Sequence, residues 1–445
     1  SQTGTLSTES AEVRTQRKTA KLRIMRTYYS LYDRLLDRRA LARAFEKVRR
    51  AKGAPGIDGQ TIGAFEADLL GELTRLVSEL RSKTYRPHAV RRVSIPKPGG
   101  GERHLGIPTV RDRVVQQALL AILQPIFDPD FHPSSYGYRP GRSCQQAVAK
   151  ATMFIRQYGL KHVVDMDLSK CFDRLDHGLI LSSIRRRVTD GSILALVEMF
   201  LTSGVMNEGA WEATELGSPQ GGVVSPLIAN IYLDAFDQEM MRRGYRIVRY
   251  ADDILILCRS KRSAEYAMRV AVKILEGDLK LTVNRDKTHL TSAREGVKFL
   301  GVVIGSVHTR IAAEKVSAFK AKVKSITRKT SPVNLEKVIA DLNPVLRGWG
   351  SYFRMANCKG LYRELAGWIR RRLRAKQLAL WKKPKRLIRR LRQVGVRGDF
   401  QKMRMTAWRT SRSSYASLAI SNGYLAELGL FDLTELETGV LPEAT

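Results

Sequence analysis

Tyr250-Ala251-Asp252-Asp253 sets two adjacent carboxylates between two apolar runs, Ile247-Val248 before them and Ile254-Leu255-Ile256-Leu257 after. Two acids forced together repel each other, and a divalent cation relieves that repulsion. Asp is also an ordinary turn residue, so the pair alone reads equally well as a solvated turn. A second acidic stretch changes the balance. Val163-Val164-Asp165-Met166-Asp167-Leu168 carries Asp167 at the end of an apolar run. In-line phosphoryl transfer by two metal ions about 3.5–4 Å apart needs carboxylates from separate strands to clamp both ions. Asp167, Asp252 and Asp253 supply that set. The backbone carbonyl of Leu168 adds a further oxygen, because hard cations accept carbonyls. Asp165 shares a strand face with Asp167 and stands behind the ligands. Asp173 falls beyond the strand and reads as structural.

Such acids need rigid elements to hold them. The two β-branched runs around the acidic turn read as a β-hairpin with the carboxylates at its tip. Upstream, Leu31, Leu35 and Leu36, then Leu69, Leu70, Leu73, Leu76 and Leu80, recur at helical spacing. From Arg91 to about Gly305 strands and helices alternate, and beyond that the helical pattern returns with more charge. Lys97 and Arg103 flank the turn Gly99-Gly100-Gly101, whose glycines permit tight turning and close approach to a ligand.

Composition bounds the partners. The 445 residues carry 77 basic against 43 acidic side chains, a formal net charge of +34. Such a charge predicts a polyanionic partner rather than a particular fold. No apolar run reaches the roughly 18–20 residues needed to span a membrane. Ser1–Ser10 has no apolar signal core, and the polar stretch to about Leu22 is expected to be mobile until RNA binds it. Cys144, Cys171, Cys258 and Cys358 are scattered, without zinc-site or disulfide spacing. A reducing bacterial cytoplasm is the expected location, with nucleoid association when the protein acts on DNA.

The acid-bearing segments resemble the two catalytic motifs of reverse transcriptases, and most closely the group II intron family of reverse transcriptases and maturases. Ala54-Pro55-Gly56-Ile57-Asp58-Gly59 is similar to that family's early fingers motif, and Arg92–Arg103 to its fingers hairpin. Leu105–Arg113 and Ser135–Ser143 follow in the family order. Ser218-Pro219-Gln220-Gly221-Gly222-Val223-Val224-Ser225-Pro226-Leu227 is its most distinctive palm segment, and Phe299-Leu300-Gly301 resembles its primer-contacting motif. The resemblance implies an α+β right-hand polymerase. Its parts would be a polar segment at 1–22, fingers and palm at 23–305, a helical thumb at 306–383 and a small basic domain at 384–445. Paired cysteines and histidines of an HNH endonuclease are missing after Cys358, which most resembles the bacterial class C type.

The same resemblance implies roles. Two Mg²⁺ ions, with Mn²⁺ as a substitute, would sit on Asp167, Asp252, Asp253 and the Leu168 carbonyl. Arg91, Lys97 and Arg103 would meet the triphosphate of an incoming dNTP, or else lie on a solvated basic hairpin touching template phosphates. Gln220 would contact that nucleotide. Phe172, five residues after Asp167, would exclude a ribose 2′-OH, or else is a core aromatic. Lys287 would act as a general acid at the leaving pyrophosphate, or pairs with Asp286 or a backbone carbonyl. Between Ala366 and Gly398 stand thirteen Lys or Arg and no acid, a run that repels itself unless phosphates compensate it. Arg347, Arg370, Arg371, Arg372, Arg374, Lys382, Lys383, Lys385, Arg386, Arg389 and Arg390 are the expected nucleic-acid ligands. The expected function is RNA-directed DNA synthesis joined to splicing and mobility of a group II intron RNA. Its partners would be that RNA, an RNA template with DNA primer, and target DNA, without a membrane, as monomer or homodimer. A splicing-only maturase, a relative domesticated for DNA repair or defence, and RNA-templated RNA synthesis are the alternatives.

Overall fold

The chain folds around an antiparallel sheet whose two faces feed two different cores. A computed structural model describes residues 26–96, 101–207, 210–218, 221–398, 400 and 410–443, with the Arg103 side chain excepted. The polar segment 1–22, Lys97 and Gln220 lie outside these residues. The sheet has the order β6-β7-β3-β8, from β3 (His162–Met166), β6 (Arg246–Tyr250), β7 (Asp253–Cys258) and β8 (His289–Ser292). Ile254 through Leu257 are all buried, as expected for a strand covered on both sides. Alternation along β7 divides them. Ile254 and Ile256 enter one core, and Leu255 and Leu257 the other. Fully burying each such side chain contributes about 1.5–3 kcal/mol, so the sheet is anchored on both faces.

The first core joins palm to fingers. Helices α1 (Arg38–Ala51), α2 (Leu69–Arg81) and α3 (Val110–Phe127) bring Phe45, Leu73, Leu76, Leu80 and Leu119 into it. The fingers sheet has the order β2-β1-β4-β5, with β1 (Val90–Pro96), β2 (Glu102–Ile107), β4 (Val205–Asn207) and β5 (Ala210–Glu212). Pro96 faces Glu102 at the last register position before the glycine turn. Helix α4 (Cys144–Arg156) begins at a capping box: Ser143 Oγ accepts from the Gln146 N–H, and Gln146 Oε1 accepts from the Ser143 N–H. Helix α5 (Ser225–Arg242) runs behind the palm hairpin, and α6 (Lys261–Val272) follows β7.

The second core belongs to the thumb and everything after it. A small sheet of β9 (Val297–Phe299), β10 (Val302–Ile304) and β11 (Thr309–Ile311) leads into four helices. These are α7 (Ala313–Ile326), α8 (Leu335–Phe353), α9 (Lys359–Trp381) and α10 (Pro384–Gln393). Leu342, Leu365, Leu373, Leu387, Leu391, Leu425 and Leu433 share one apolar cluster with Val163 and Leu257 of the palm. Packing therefore runs on across position 384, where Leu387, Leu391, Leu425 and Leu433 join the cluster of the thumb helices. No helix among the described residues is long and apolar enough to cross a membrane.

Candidate active site

Strand pairing brings the acids together. Met166 pairs with Ile254, so Asp167 leaves β3 beside the turn that carries Asp252 and Asp253. That turn is a two-residue connection: Tyr250 pairs with Asp253, leaving Ala251 and Asp252 to reverse the chain. Ala251 has φ +58, a left-handed conformation that costs a side chain-bearing residue about 1–2 kcal/mol.

A buried network offsets that strain. Arg249 and Asp237 are both 0% exposed and form an ion pair at 2.6 Å. Arg249 Nε also donates to both Asp237 oxygens at 2.9 Å. Its Nη1 donates to Asn230 Oδ1 at 2.9 Å and to the Ala251 carbonyl at 3.0 Å. Asn230 Nδ2 in turn donates to the Gly137 carbonyl at 2.8 Å. Gly137 lies so near the turn that an added Cβ would stand 2.3 Å from the Ala251 nitrogen. Arg249, Asp237, Asn230 and Gly137 were missed from the sequence. The usable signal was an Arg set between Val248 and Tyr250 in a short strand, with an Asp on the helix just upstream.

One cleft of about 230 Å³ collects Asp165, Asp167, Asp253 and Lys287 with Leu300 and Gly301 of the β9–β10 turn and Lys315 of α7. Asp253 opens to solvent there, yet partial burial, then the charges of Asp252, Asp167 and Asp165, push its carboxyl up to about 6. Burial likewise pushes Asp165 up to about 6, with His289 opposing and Asp167 adding to the rise. Asp252 bears on Cys171 as well, which places its charge by the loop after Asp167. Asp167 Oδ2 accepts from Asn284 Nδ2 at 3.0 Å and lies 3.4 Å from Lys287 Nζ. The Leu168–Val283 bridge is closed by Asn284 N–H to the Asp167 carbonyl and Ser169 N–H to the Thr282 carbonyl. Leu168's own carbonyl stays outside that ladder.

Among the described residues no three acids close into a ready-made cage. The donor set nonetheless suits a hard divalent cation: carboxylates and a carbonyl, all oxygen. Burial first, and then the charges of its acidic neighbours, raise the Asp253 carboxyl, and a bound cation would relieve that repulsion.

Other expected residues are placed as follows. Lys287 pairs with Asp167 rather than Asp286, and its carbonyl accepts from, or faces, His289 Nδ1 at 2.7 Å. Phe172 is 8% exposed and belongs to the palm core, edge-on to the half-open ring of Tyr138 at 6.2 Å. Arg91 Nη2 donates to the Pro55 carbonyl at 2.8 Å, and Arg113 Nη2 to the Ala54 carbonyl at 2.8 Å. Arg91 thus clasps the Ala54-Pro55-Gly56 loop instead of reaching the cleft. Arg103 stands opposite Ile95 on the hairpin. In the β9–β10 turn, Leu300 has φ +48 and its carbonyl accepts from Tyr352 Oη of α8 at 3.0 Å.

The basic run divides in two. Arg370 pairs with Asp432 at 2.8 Å, and Arg371 Nε reaches Ser411 Oγ at 3.5 Å. Arg372 Nε donates to Thr327 Oγ1 at 2.6 Å; Arg374 donates to the Ile420 carbonyl at 2.9 Å and Asn422 Oδ1 at 2.8 Å. Arg390 covers the Tyr424 ring at 4.6 Å, and Arg347 the Phe431 ring at 4.6 Å. These six expected phosphate ligands are engaged by the protein itself, because the acceptors they meet come from segments far along the chain. Lys382, Lys383, Lys385, Arg386 and Arg389 are exposed and have no partner among the described residues.

A family model for "Reverse transcriptase (RNA-dependent DNA polymerase)" matches residues 95–304, and one for "Group II intron, maturase-specific domain" matches residues 316–395. Protein YkfC of Escherichia coli (strain K12) is 35% identical over 300 residues, 59% of this chain and 79% of that protein. The group II intron-encoded protein LtrA of Lactococcus lactis subsp. cremoris is 27% identical over 352 residues, 64% of this chain. That match takes in 58% of LtrA, so the chain spans less than two thirds of it. Among solved structures, apo telomerase from Candida tropicalis, truncated from the C-terminal domain, aligns at 13% identity. It covers 50% of this chain and 55% of that chain, with a TM-score of 0.40.

Proposed function

Because the chain belongs to the family of group II intron-encoded reverse transcriptases and maturases, we propose that it copies RNA into DNA and assists the splicing and mobility of a group II intron RNA. The observation that carries the reading is the convergence of Asp167, Asp253 and Asp165 in one cleft with Lys287. Asp167, Asp252, Asp253 and the Leu168 carbonyl would hold two Mg²⁺ ions. Bound there, such ions lower the pKa of a primer 3′-OH and neutralise charge on the departing pyrophosphate.

The chain's own residues prepare that chemistry. Arg249 fixes the carbonyl of Ala251 and so the direction in which the two turn acids project. Asn284 and Lys287 orient Asp167 through the same oxygen, Oδ2. The Lys287 side chain is largely exposed, so its ammonium could also reach a phosphate bound in the cleft. Tyr138 and Phe172, packed edge-on at 6.2 Å, would form the aromatic pair that excludes a ribose 2′-OH. The primer-side turn is fixed by Tyr352 holding the Leu300 carbonyl. The exposed cations Lys382, Lys383, Lys385, Arg386 and Arg389 supply an RNA-facing surface on the maturase side. Extension of a DNA primer on an RNA template is the test. Asp252→Ala or Asp253→Ala should lower the rate at least about 100-fold, the usual cost of losing a charge-stabilising group, while RNA affinity stays within a few-fold. Extension by Asp252→Ala above about one per cent of the wild-type rate overturns the assignment.

A further inference from the structure

We infer that a groove at the opposite end of the palm sheet is a second nucleic-acid site, one that takes an unpaired nucleotide of single-stranded RNA. It lies where β6 begins, β7 ends and α6 starts. Asp253 and Cys258 bound β7, and five residues at ~3.3 Å each put the groove about 17 Å from the catalytic turn. A primer–template duplex seated on the acids would leave it open.

The groove encloses about 430 Å³, within the range of about 300–1,000 Å³ usual for ligand pockets. Its floor is apolar, made by the buried side chains of Leu160 and Leu257. Two tyrosines form its walls. Tyr158 is 53% exposed and held edge-on against Phe154, while Tyr245 is half-buried. Arginines form the rim. Arg246 and Arg259 are exposed and have no partner among the described residues, and Arg243 shares Glu239 with Arg242. No acidic residue lines the groove.

An exposed tyrosine ring beside an apolar floor accepts a flat base without reading its identity, since every base presents a π-face. Guanidinium groups at the rim match the flanking phosphates and are more weakly hydrated than ammonium groups. An acidic peptide would satisfy the arginines but leave the tyrosine rings and apolar floor without a flat partner. The inference concerns binding only and does not depend on the chemistry at the acidic turn.

The test uses the full chain with its cleft filled by saturating primer–template hybrid, titrated with a fluorescein-labelled ten-residue oligouridylate and followed by anisotropy. The labelled RNA should bind. Arg246→Gln with Arg259→Gln should weaken it at least fivefold and flatten the salt dependence, by about 0.7 in log–log slope for each single-strand phosphate no longer neutralised. Tyr158→Ala should weaken the oligouridylate but not an abasic strand of equal length. Extension rate and melting temperature should stay at wild-type values, because all three side chains face solvent outside the cleft. Failure of the RNA to bind while the cleft is filled would overturn the inference. So would wild-type affinity in the arginine double variant.

Discussion

Arg249→Lys should uncouple catalysis from template binding. Lysine keeps a charge for Asp237, so the buried acid remains compensated. Its single nitrogen cannot also reach Asn230 and the Ala251 carbonyl, which Arg249 Nη1 contacts at 2.9 and 3.0 Å. A hydrogen bond from a charged donor contributes about 1.5–3 kcal/mol. Losing the one to Ala251 removes what offsets the left-handed strain of about 1–2 kcal/mol at that residue. Since about 1.4 kcal/mol is a tenfold change in an equilibrium, the fraction of molecules with a competent turn should fall about 10- to 100-fold. Single-turnover primer extension should slow by that factor, with a higher Mg²⁺ concentration needed for half-maximal rate. The Kd for primer–template should stay within twofold, because no group that touches nucleic acid is changed. Adding Ala251→Gly to Arg249→Lys should recover part of the rate, as glycine adopts the left-handed turn without strain. An extension rate within twofold of wild type, at unchanged Mg²⁺ dependence, would refute the reasoning. Arg249→Ala is a poorer probe, because it strands Asp237 without a partner at about 3–5 kcal/mol.

Three further outcomes are expected. The Asp253 carboxyl is held up to about 6 against an ordinary 3.8, so between these values the folded state keeps a proton that the unfolded chain has lost. Metal-free stability should therefore fall as pH rises through that window. Asp253→Asn should lessen the fall, and Mg²⁺ should raise the melting temperature more at pH 7 than at pH 5; calorimetry that finds no difference between the two pH values removes the Asp253 site from the account. Changing Arg370, Arg371, Arg372 and Arg374 to Gln should lower the melting temperature with little change in RNA salt dependence, whereas Lys385, Arg386 and Arg389 to Gln should cut the log–log slope by roughly 0.7–0.9 for every phosphate left without its cation; the reverse pattern in paired melting and filter-binding experiments would place the RNA surface on α9. Phe172→Ala should admit rNTPs into the product, read by alkaline cleavage of the extended strand; discrimination equal to wild type would make Phe172 a packing residue only.

Much of the site was legible from local pattern. Two β-branched runs around Asp252-Asp253 leave little choice but a hairpin, and the alternation in Val163-Val164-Asp165-Met166-Asp167 puts Asp165 and Asp167 on one face. Both signals lie within a few residues of chain. What stayed hidden depends on partners brought in from a distance. Arg249 reads as an exposed cation on an edge strand until Asp237 and Asn230 arrive from α5. Arg372 and Arg374 read as phosphate ligands until Thr327 and Ile420 present a hydroxyl and a carbonyl. A charge run reports how many cations there are, and only the fold reports which have been given work inside the protein. Packing across position 384 was hidden for a similar reason. Pro384 does open a new helix, but Leu387 and Leu391 on that helix complete a core begun in the palm.

The far end of the described chain has a consequence for anyone exchanging segments between related proteins. Gly350 in the last turn of α8 has no side chain, and the space beside it is filled by Leu433 and Leu436, whose methyl carbons would stand 2.8 and 2.7 Å from an added Cβ. Gly439 N–H donates to the Arg354 carbonyl at 2.8 Å, just beyond the same helix. The thumb therefore carries its closing strap roughly eighty residues downstream. A chimera that swaps residues 313–395 while keeping the original strap would mate two surfaces that never adjusted to each other. A workable crossover takes the block from β9 through Gly439 as one inheritance, leaving the seam at the loop before Val297 rather than inside the helices.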